Sequence, residues 1–292
     1  MMVNSDGAMR SDWLSMGAAI CFLGLTTCGG GSGAAAGPDA GALDHGDAAD
    51  DGSPPITVDA GGARPGSIRM AVPAYFAPGP DWQRMIAAAP TVGMVIINPA
   101  SGPGTSTDAQ YTQVIAQARA AGIIVLGYVS TSYGQRPEAD VIADINSYYN
   151  LYSLSGIYLA EGPMEADCTP LEAQYRRVVD AAHVRDPHAY MAVGTHFCPT
   201  YVYFFDQMVE FAMSWSDYQS YVVPTWMPAG SPERFCHFIS DVPADQAGVA
   251  ISRAIANGAG WVFATDLGEP NPWGQLPAYF DAELQAIRTL AP

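Results

Sequence analysis

The segment Val92–Arg136, VGMVIINPASGPGTSTDAQYTQVIAQARAAGIIVLGYVSTSYGQR, constrains the fold more than any other stretch of the chain. Val95-Ile96-Ile97 is an unbroken apolar run, as expected of a strand covered on both faces. Asn98-Pro99 ends the run, and Ser101-Gly102-Pro103-Gly104 has the composition of a turn. Thr107 or Asp108 is placed to cap a helix over Ala109–Ala121, and Gly122 to end it. Ile123–Val129 is a second apolar strand. Two such strands joined by a helix make a parallel βαβ unit with a right-handed crossover. Asn98, Ser101, Ser130, Thr131 and Tyr133 then lie at the C-terminal ends of parallel strands, where α/β folds keep their sites.

The alternation continues along the chain. Strands are predicted at Ile68–Tyr75, Val92–Ile97, Ile123–Val129, Gly156–Glu161, Ala189–Gly194, Met208–Ser214, Phe235–Ser240 and Trp261–Thr265. Helices are predicted at Trp82–Ala89, Ala109–Ala121, Glu138–Tyr149, Thr169–Val184, Tyr201–Phe205, Asp217–Tyr221, Ala244–Asn257 and Leu276–Leu290. Eight strand–helix pairs in about 225 residues fit a single (β/α)8 barrel of the α/β class, which needs about 250 residues or somewhat fewer. An open doubly wound sheet is the alternative. Its commonest signature, G-x-G-x-x-G after the first strand, is missing.

Charge excludes several functions. The net charge is -17, which argues against a nucleic-acid partner. All 12 basic residues are arginine. A lysine Schiff base, a lysine-bound pyridoxal phosphate and a P-loop are thereby ruled out, and no cofactor is expected. Residues 1–28 read as an export signal. Leu14–Leu25 is apolar but too short to cross a bilayer, and Leu25-Thr26-Thr27-Cys28 resembles a lipobox in which Cys28 would be lipidated. An ordinary secretory signal or an uncleaved apolar tail is the alternative. Residues 29–66 are rich in Gly, Ala and Asp, with no basic residue before Arg64, and read as a disordered, self-repelling linker. The barrel would occupy 67–292. The expected product is a monomer at the cell surface or in the periplasm, or otherwise secreted, touching a membrane only through a lipid anchor.

Cys168 follows the fourth strand and Cys198 the fifth. That places them on adjacent loops of one rim, where an oxidising compartment would allow a disulfide. Cys236 is expected to be a buried free thiol. Neither the cysteines nor the five histidines have metal-site spacing, so no metal is expected. His188, His196 and His237 are isolated and read as structural.

Longer motifs carry a resemblance. VIINPASGPGTSTDAQY, GIIVLGYVSTSYGQR, GIYLAEGP, AVGTHFCP, SWSDYQSY and TDLGEPNPWGQLPAYF together resemble the spherulin-4, or spherulation-specific, family from about Ile68 onward. The resemblance implies a (β/α)8 barrel related to glycoside hydrolases of amino-sugar polysaccharides such as galactosaminogalactan, and so an extracellular glycan as partner. It also implies carboxylates at places where this chain has Ala160 and Ala212. The family's Asn-Pro-Gly-Thr stands here as Ala192-Val193-Gly194-Thr195, and its histidine after strand seven falls at Ser240, with His237 close by.

Glu161 is the acidic position that survives. Glycoside hydrolysis ordinarily uses two carboxyl groups across the scissile bond, so catalytic competence is open. A substrate's own N-acetyl group can replace the nucleophile in some amino-sugar hydrolases. Asp217, Asp266 and Glu269 are the candidate partners for Glu161, although Asp217 also suits a helix cap and Asp266 an Asx turn. Tyr75, Asn98, Tyr128, Tyr133 and Trp215 are candidate sugar contacts, since aromatic rings stack on the C–H faces of sugars. Packing would equally account for the aromatic four. A non-catalytic carbohydrate-binding protein and a structural surface lipoprotein are the competing functions.

Overall fold

The computed structural model describes residues 68–164, 167–194, 198–227 and 230–290. The expected signal, Cys28 and the linker lie outside the described residues. Eight parallel strands close in sequence order into a barrel. They are β1 (Arg69–Ala74), β2 (Val92–Ile97), β3 (Ile124–Ser130), β4 (Gly156–Ala160), β5 (Tyr190–Gly194), β6 (Gln207–Ser214), β7 (Phe235–Ser240) and β8 (Trp261–Ala264). The helices are α1 (Pro80–Ala87), α2 (Ala109–Ala120), α3 (Glu138–Leu151), α4 (Cys168–Arg185), α5 (Trp215–Tyr218), α6 (Ala247–Ala256) and α7 (Phe280–Leu290). None of the described helices is long and apolar enough to cross a membrane.

The βαβ segment folds as its residues dictate. Every residue of β2 is buried. Asp108, not Thr107, caps α2: its Oδ1 accepts from the amides of Gln110 (2.7 Å) and Tyr111 (3.3 Å). Gly122 follows at φ 81°, a left-handed position that suits glycine.

Several elements depart from expectation. α5 runs Trp215–Tyr218 instead of Asp217–Tyr221, and a 3-10 turn at Ala244–Gln246 precedes α6. The segment expected as a helix at Tyr201–Phe205 is a 3-10 turn, Pro199–Tyr203, and no α-helix lies between β5 and β6 among the described residues. The last helix starts at Phe280, beyond Pro277, instead of at Leu276. β4 stops at Ala160, because Glu161 leaves the strand with φ 54°.

The barrel closes at a weak seam. β1 pairs with β8 only through Arg69–Trp261 and Met70–Val262. The amides of Arg69 and Tyr75 point toward the β8 side, bonding Gly260 and Trp273 carbonyls. By strand alternation Pro73 points the same way, and it has no N–H to donate. The ladder therefore ends, and the amide of Ala264 faces the gap. Glu283 of α7 fills it, accepting that N–H at 2.8 Å on Oε1. Glu283 is 1% exposed, and its Oε2 has no hydrogen-bond partner. Burial pushes its carboxyl up to about 8, opposed by the Ala264 bond.

That shift has a sign. Between the ordinary value of 4.5 and about 8, the folded chain holds a proton that the unfolded chain releases. Stability is thus full below about 4.5 and declines as pH rises toward about 8, at up to roughly 1.4 kcal/mol per pH unit. Urea unfolding of the wild type across that range should show the decline, and Glu283→Gln should flatten it. Parallel pH profiles for the two proteins would remove Glu283 as its cause.

Candidate functional site

Tyr128 and Ser130 are two apart on β3 and so share a face. Their register partners on β4 are Tyr158 and Ala160. Continued alternation would turn residue 161 away from that face. The left-handed turn at Glu161 breaks the alternation and returns its side chain to β3. Glu161 Oε2 accepts from Ser130 Oγ at 2.5 Å, and Oε1 from the Tyr128 hydroxyl at 3.2 Å.

The strained turn is clamped through its backbone. The Glu161 carbonyl accepts from the Tyr133 amide at 2.7 Å and from Thr131 Oγ1 at 2.6 Å. Thr131 is buried, and its Oγ1 lies 2.6 Å from the Tyr175 hydroxyl of α4. With the threonine proton given to a carbonyl, Tyr175 donates to Thr131. The Gly162 amide then bonds the Gly194 carbonyl at 2.7 Å, fixing the turn to β5 as well. Positive φ in non-glycine residues is concentrated on this face: Ser101, Ser132, Tyr133, Glu161 and Asp241 all lie on loops that follow strands.

Tyrosine rings surround the carboxylate. Tyr75 meets Tyr128 at 5.4 Å and 75°, and Tyr128 meets Tyr158 at 6.3 Å and 60°. Tyr133 is 48% exposed at the edge. Burial is the main reason each phenol is pushed up: Tyr75 well above its usual value, Tyr133 more modestly with Glu161 as second cause. Tyr128 and Tyr158 shift the same way, again chiefly by burial, and Glu161 contributes to both. All four are therefore neutral hydrogen-bonding groups near pH 7. Gly194 leaves room for Tyr158; a Cβ there would stand 2.4 Å from its hydroxyl.

The other sequence candidates are elsewhere engaged. Asp217 lies in the first turn of α5, which Ser214 caps, and its Oδ2 accepts from Ser214 Oγ at 2.5 Å. Asp266 Oδ1 accepts from the Ala278 amide at 3.2 Å. Among the described residues neither bonds Glu161. Asn98 Oδ1 accepts from the Gly102 amide at 2.7 Å and braces its own loop. Trp215 is buried, its ring 6.1 Å from that of Tyr218. Glu210, on β6 near Ala212, is buried and engaged away from Glu161. It bonds the Tyr221 hydroxyl, and its Oε2 lies 3.3 Å from Nε2 of buried His237, without the angle of a hydrogen bond. His237 Nδ1 is 2.6 Å from the Tyr218 hydroxyl, which ties it to α5 and not to the Glu161 group. Ala160 is 4% exposed beside the site, and Ala212 is exposed near the end of β6.

Cys168 and Cys198 form a disulfide, Cα atoms 5.2 Å apart, joining the start of α4 to the turn after β5. Cys236 is a buried free thiol, pushed well up by burial. Among the described residues no group of three His, Cys, Asp or Glu is arranged to hold a metal. Two cavities lie away from Glu161. One of about 510 Å³ is lined by Arg119, Tyr149 and Arg185, and one of about 430 Å³ by Met227, Pro232 and Gly260.

Two residues of the site escaped sequence reading. Tyr158 sits in an apolar strand and reads as core; its alternation with Ala160 was the available signal. Ser130 was placed at the rim, but nothing in its surroundings marked it as the closest partner of Glu161.

These features define an α/β barrel with an aromatic, acidic mouth at the carboxyl ends of its strands. The chain belongs to the spherulation-specific family 4, whose model matches residues 69–287. It is 44% identical over 103 residues to Spherulin-4 of Physarum polycephalum, a match that takes in 34% of this chain and 31% of that relative's length. Among solved structures it is similar to Aspergillus clavatus Sph3, crystallised in complex with GalNAc, with a TM-score of 0.64 and 24% identity over 76% of this chain and 98% of that one. At that identity the likeness establishes the fold.

The Thr131 relay sets a measurable cost. Thr131→Val leaves the Tyr175 hydroxyl short of its acceptor and the Glu161 carbonyl short of a donor. Unfolding free energy should fall by about 1–3 kcal/mol, while Thr131→Ser keeps most of it. Equal losses in the two variants would assign the effect to packing instead of the hydroxyl.

Proposed function

We propose that this chain is an exported barrel that engages an extracellular amino-sugar polysaccharide at the mouth around Glu161. The observation that carries the reading is the carboxylate held by Tyr128 and Ser130 among tyrosine rings. Sugars present hydroxyls to acceptors such as Glu161 and apolar C–H faces to rings, and this mouth supplies both. The GalNAc bound by Sph3 supports the choice of an amino sugar.

Engagement is favoured over ordinary two-carboxylate hydrolysis. That reaction needs two carboxyl groups roughly 5–9.5 Å apart, and Asp217 and Asp266 are turned to local backbone and hydroxyl partners. Hydrolysis assisted by the substrate's own N-acetyl group is the second reading. It is favoured by one specific observation: a single positioned carboxylate with neutral neighbours.

One experiment separates the readings. Full-length protein is incubated with galactosaminogalactan, and binding and release of reducing ends are both measured. Binding without release is expected. Release abolished by Glu161→Gln would instead establish single-carboxylate catalysis, and absence of any binding would remove the glycan reading.

Export rests on residues 1–28. Growth with a palmitate analogue should label the wild type and leave Cys28→Ser unlabelled. Label in both proteins would move the acylation elsewhere, and label in neither would leave a secreted, unanchored product.

A further inference from the structure

We infer that the barrel docks on an anionic phospholipid bilayer through its amino-terminal face, the face opposite the Glu161 mouth. The inference is independent of any glycan at that mouth.

The described arginines divide by place. Arg84, Arg136, Arg176 and Arg177 are ion-paired, with Asp81 and Asp281, Asp144, Glu172 and Glu138 in turn. Arg69, Arg119, Arg185, Arg234, Arg253 and Arg288 take part in none of the ion pairs among the described residues. All six belong to one end of the barrel. Arg69 opens β1, and Arg234 ends the 3-10 turn that leads into β7. The other four stand in the last turns of α2, α4, α6 and α7. Parallel strands start and their helices finish at the amino-terminal face, so these positions share it. Arg119, Arg185 and Arg288 are exposed there, and Arg69, Arg234 and Arg253 are half-buried.

Their contacts are with neutral groups. Arg119 donates to the Ser153 carbonyl and hydroxyl, Arg185 to Asn150 Oδ1 and Arg234 to the Val202 and Phe205 carbonyls. Arg253 donates to the Gln219 carbonyl and Arg288 to Thr91 Oγ1. Arg69 lies over the Trp261 ring at 4.2 Å. In the same last turns, and in the connections that lead into strands, the described carboxylates are Asp186, Asp206 and Glu233. Six guanidinium groups thus outnumber the acids around them. Arginine in a last turn complements the helix dipole, which accounts for the placing of four of the six. It does not account for Arg69 and Arg234, or for the lack of carboxylate partners.

The opposite face has the other sign. The loops leaving β2, β4, β7 and β8 carry Asp108, Glu161, Asp241, Asp245, Asp266 and Glu269, and no basic residue among their described positions. α4, with 18 residues, spans roughly 27 Å between the two faces. That is about three Debye lengths at physiological ionic strength, so the acidic rim is screened from a surface that the basic face touches. A chain of net charge -17 can therefore still present a positive face to an anionic partner.

The geometry favours a flat partner. The six arginines come from elements right around the barrel and not from one groove. A linear polyanion would meet few of them at once, whereas a bilayer surface meets most. Guanidinium forks suit lipid phosphates, and anionic leaflets attract basic residues held close to them. Arg119 and Arg185 line the cavity of about 510 Å³ together with Asn150 and Ser153, which gives a headgroup a recess in this face. The described chain begins at Ile68, on the same face. Acylation at Cys28, as proposed above, would deliver the barrel in the docked orientation with its mouth turned away from the bilayer, although docking does not require it.

The test uses full-length Cys28→Ser, which carries no lipid at that position. It is mixed with vesicles of phosphatidylcholine, or of equal parts phosphatidylcholine and phosphatidylglycerol, and co-sedimentation is measured at low and high salt. The apolar segment Leu14–Leu25 is common to both arms. Binding to the charged vesicles should be at least about tenfold stronger at low salt and fall toward equality at high salt. Replacing Arg119, Arg185 and Arg288 together by Gln should remove most of the preference, since each basic residue near an anionic bilayer contributes about fivefold. Arg177→Gln, which breaks the ion pair with Glu138 away from this face, should leave it intact. Thermal melts establish that each variant is folded. If the triple variant does not fold, Arg288→Gln alone carries the test, with a loss of about fivefold expected.

Equal binding to the two vesicles overturns the proposal. A preference kept in full by the folded triple variant, or by Arg288→Gln where it stands in, overturns it as well and assigns the attraction to basic residues elsewhere in the chain.

Discussion

Closure of the barrel between β8 and β1 is the constraint on which the rest depends. Eight parallel strands keep their carboxyl ends on one face only if the last strand meets the first. Here that meeting is two residue pairs long, because Pro73 has no N–H to offer beyond it. The Ala264 amide left facing the gap takes a side-chain acceptor from α7 instead of a backbone one. A buried glutamic acid is an expensive way to satisfy one N–H. It succeeds because burial keeps the carboxyl protonated near neutrality, so the seam holds a neutral acid and not a bare charge.

Closure then makes the site a matter of alternation. Side chains on β3 and β4 point alternately inward and outward, so adjacent strands deliver Tyr128, Ser130, Tyr158 and Ala160 to one wall. A carboxylate at position 160 would reach the mouth with no special geometry. This chain has alanine there and places its carboxylate at 161, where only a left-handed turn brings it inward. The turn is held by Thr131 and Tyr133 from the loop after β3 and by Tyr175 from α4. The strain at Glu161 is therefore borne by a backbone amide and by the buried hydroxyls of Thr131 and Tyr175.

Much of the fold was legible in the sequence, and for definite reasons. β2 runs from Val92 to Ile97 as read, because an apolar strand bounded by Asn98-Pro99 has one reasonable length. α2 was legible from Asp108 and Gly122, whose roles are local. What failed to read was non-local or conformational. Nothing in the composition of Ala160-Glu161-Gly162 reports the sign of a dihedral angle, so the strand was carried one residue too far. The apolar pattern from Leu276 runs through Pro277, whereas α7 starts only at Phe280, whose amide bonds the Pro277 carbonyl. At the site, the family pattern located Glu161, but the orientations of Asp217 and Asp266 depend on Ser214 and on an amide twelve residues onward. A loop residue can be assigned to the right rim and still turn away from the site.

The two alanines and the tyrosines bear on one another. A pair of carboxylates in a mouth can share or exchange a proton, which is what glycoside hydrolysis asks of them. With alanine at 160 and 212, Glu161 stands among the described residues without an acidic neighbour in hydrogen-bond contact. Its immediate partners are neutral hydroxyls, and its wider surroundings are aromatic. Such a carboxyl group has two occupied acceptor directions and, among the described residues, no ion-pair partner. Its orientation is fixed by two neutral donors, so a further donor reaching it meets an acceptor already held in place.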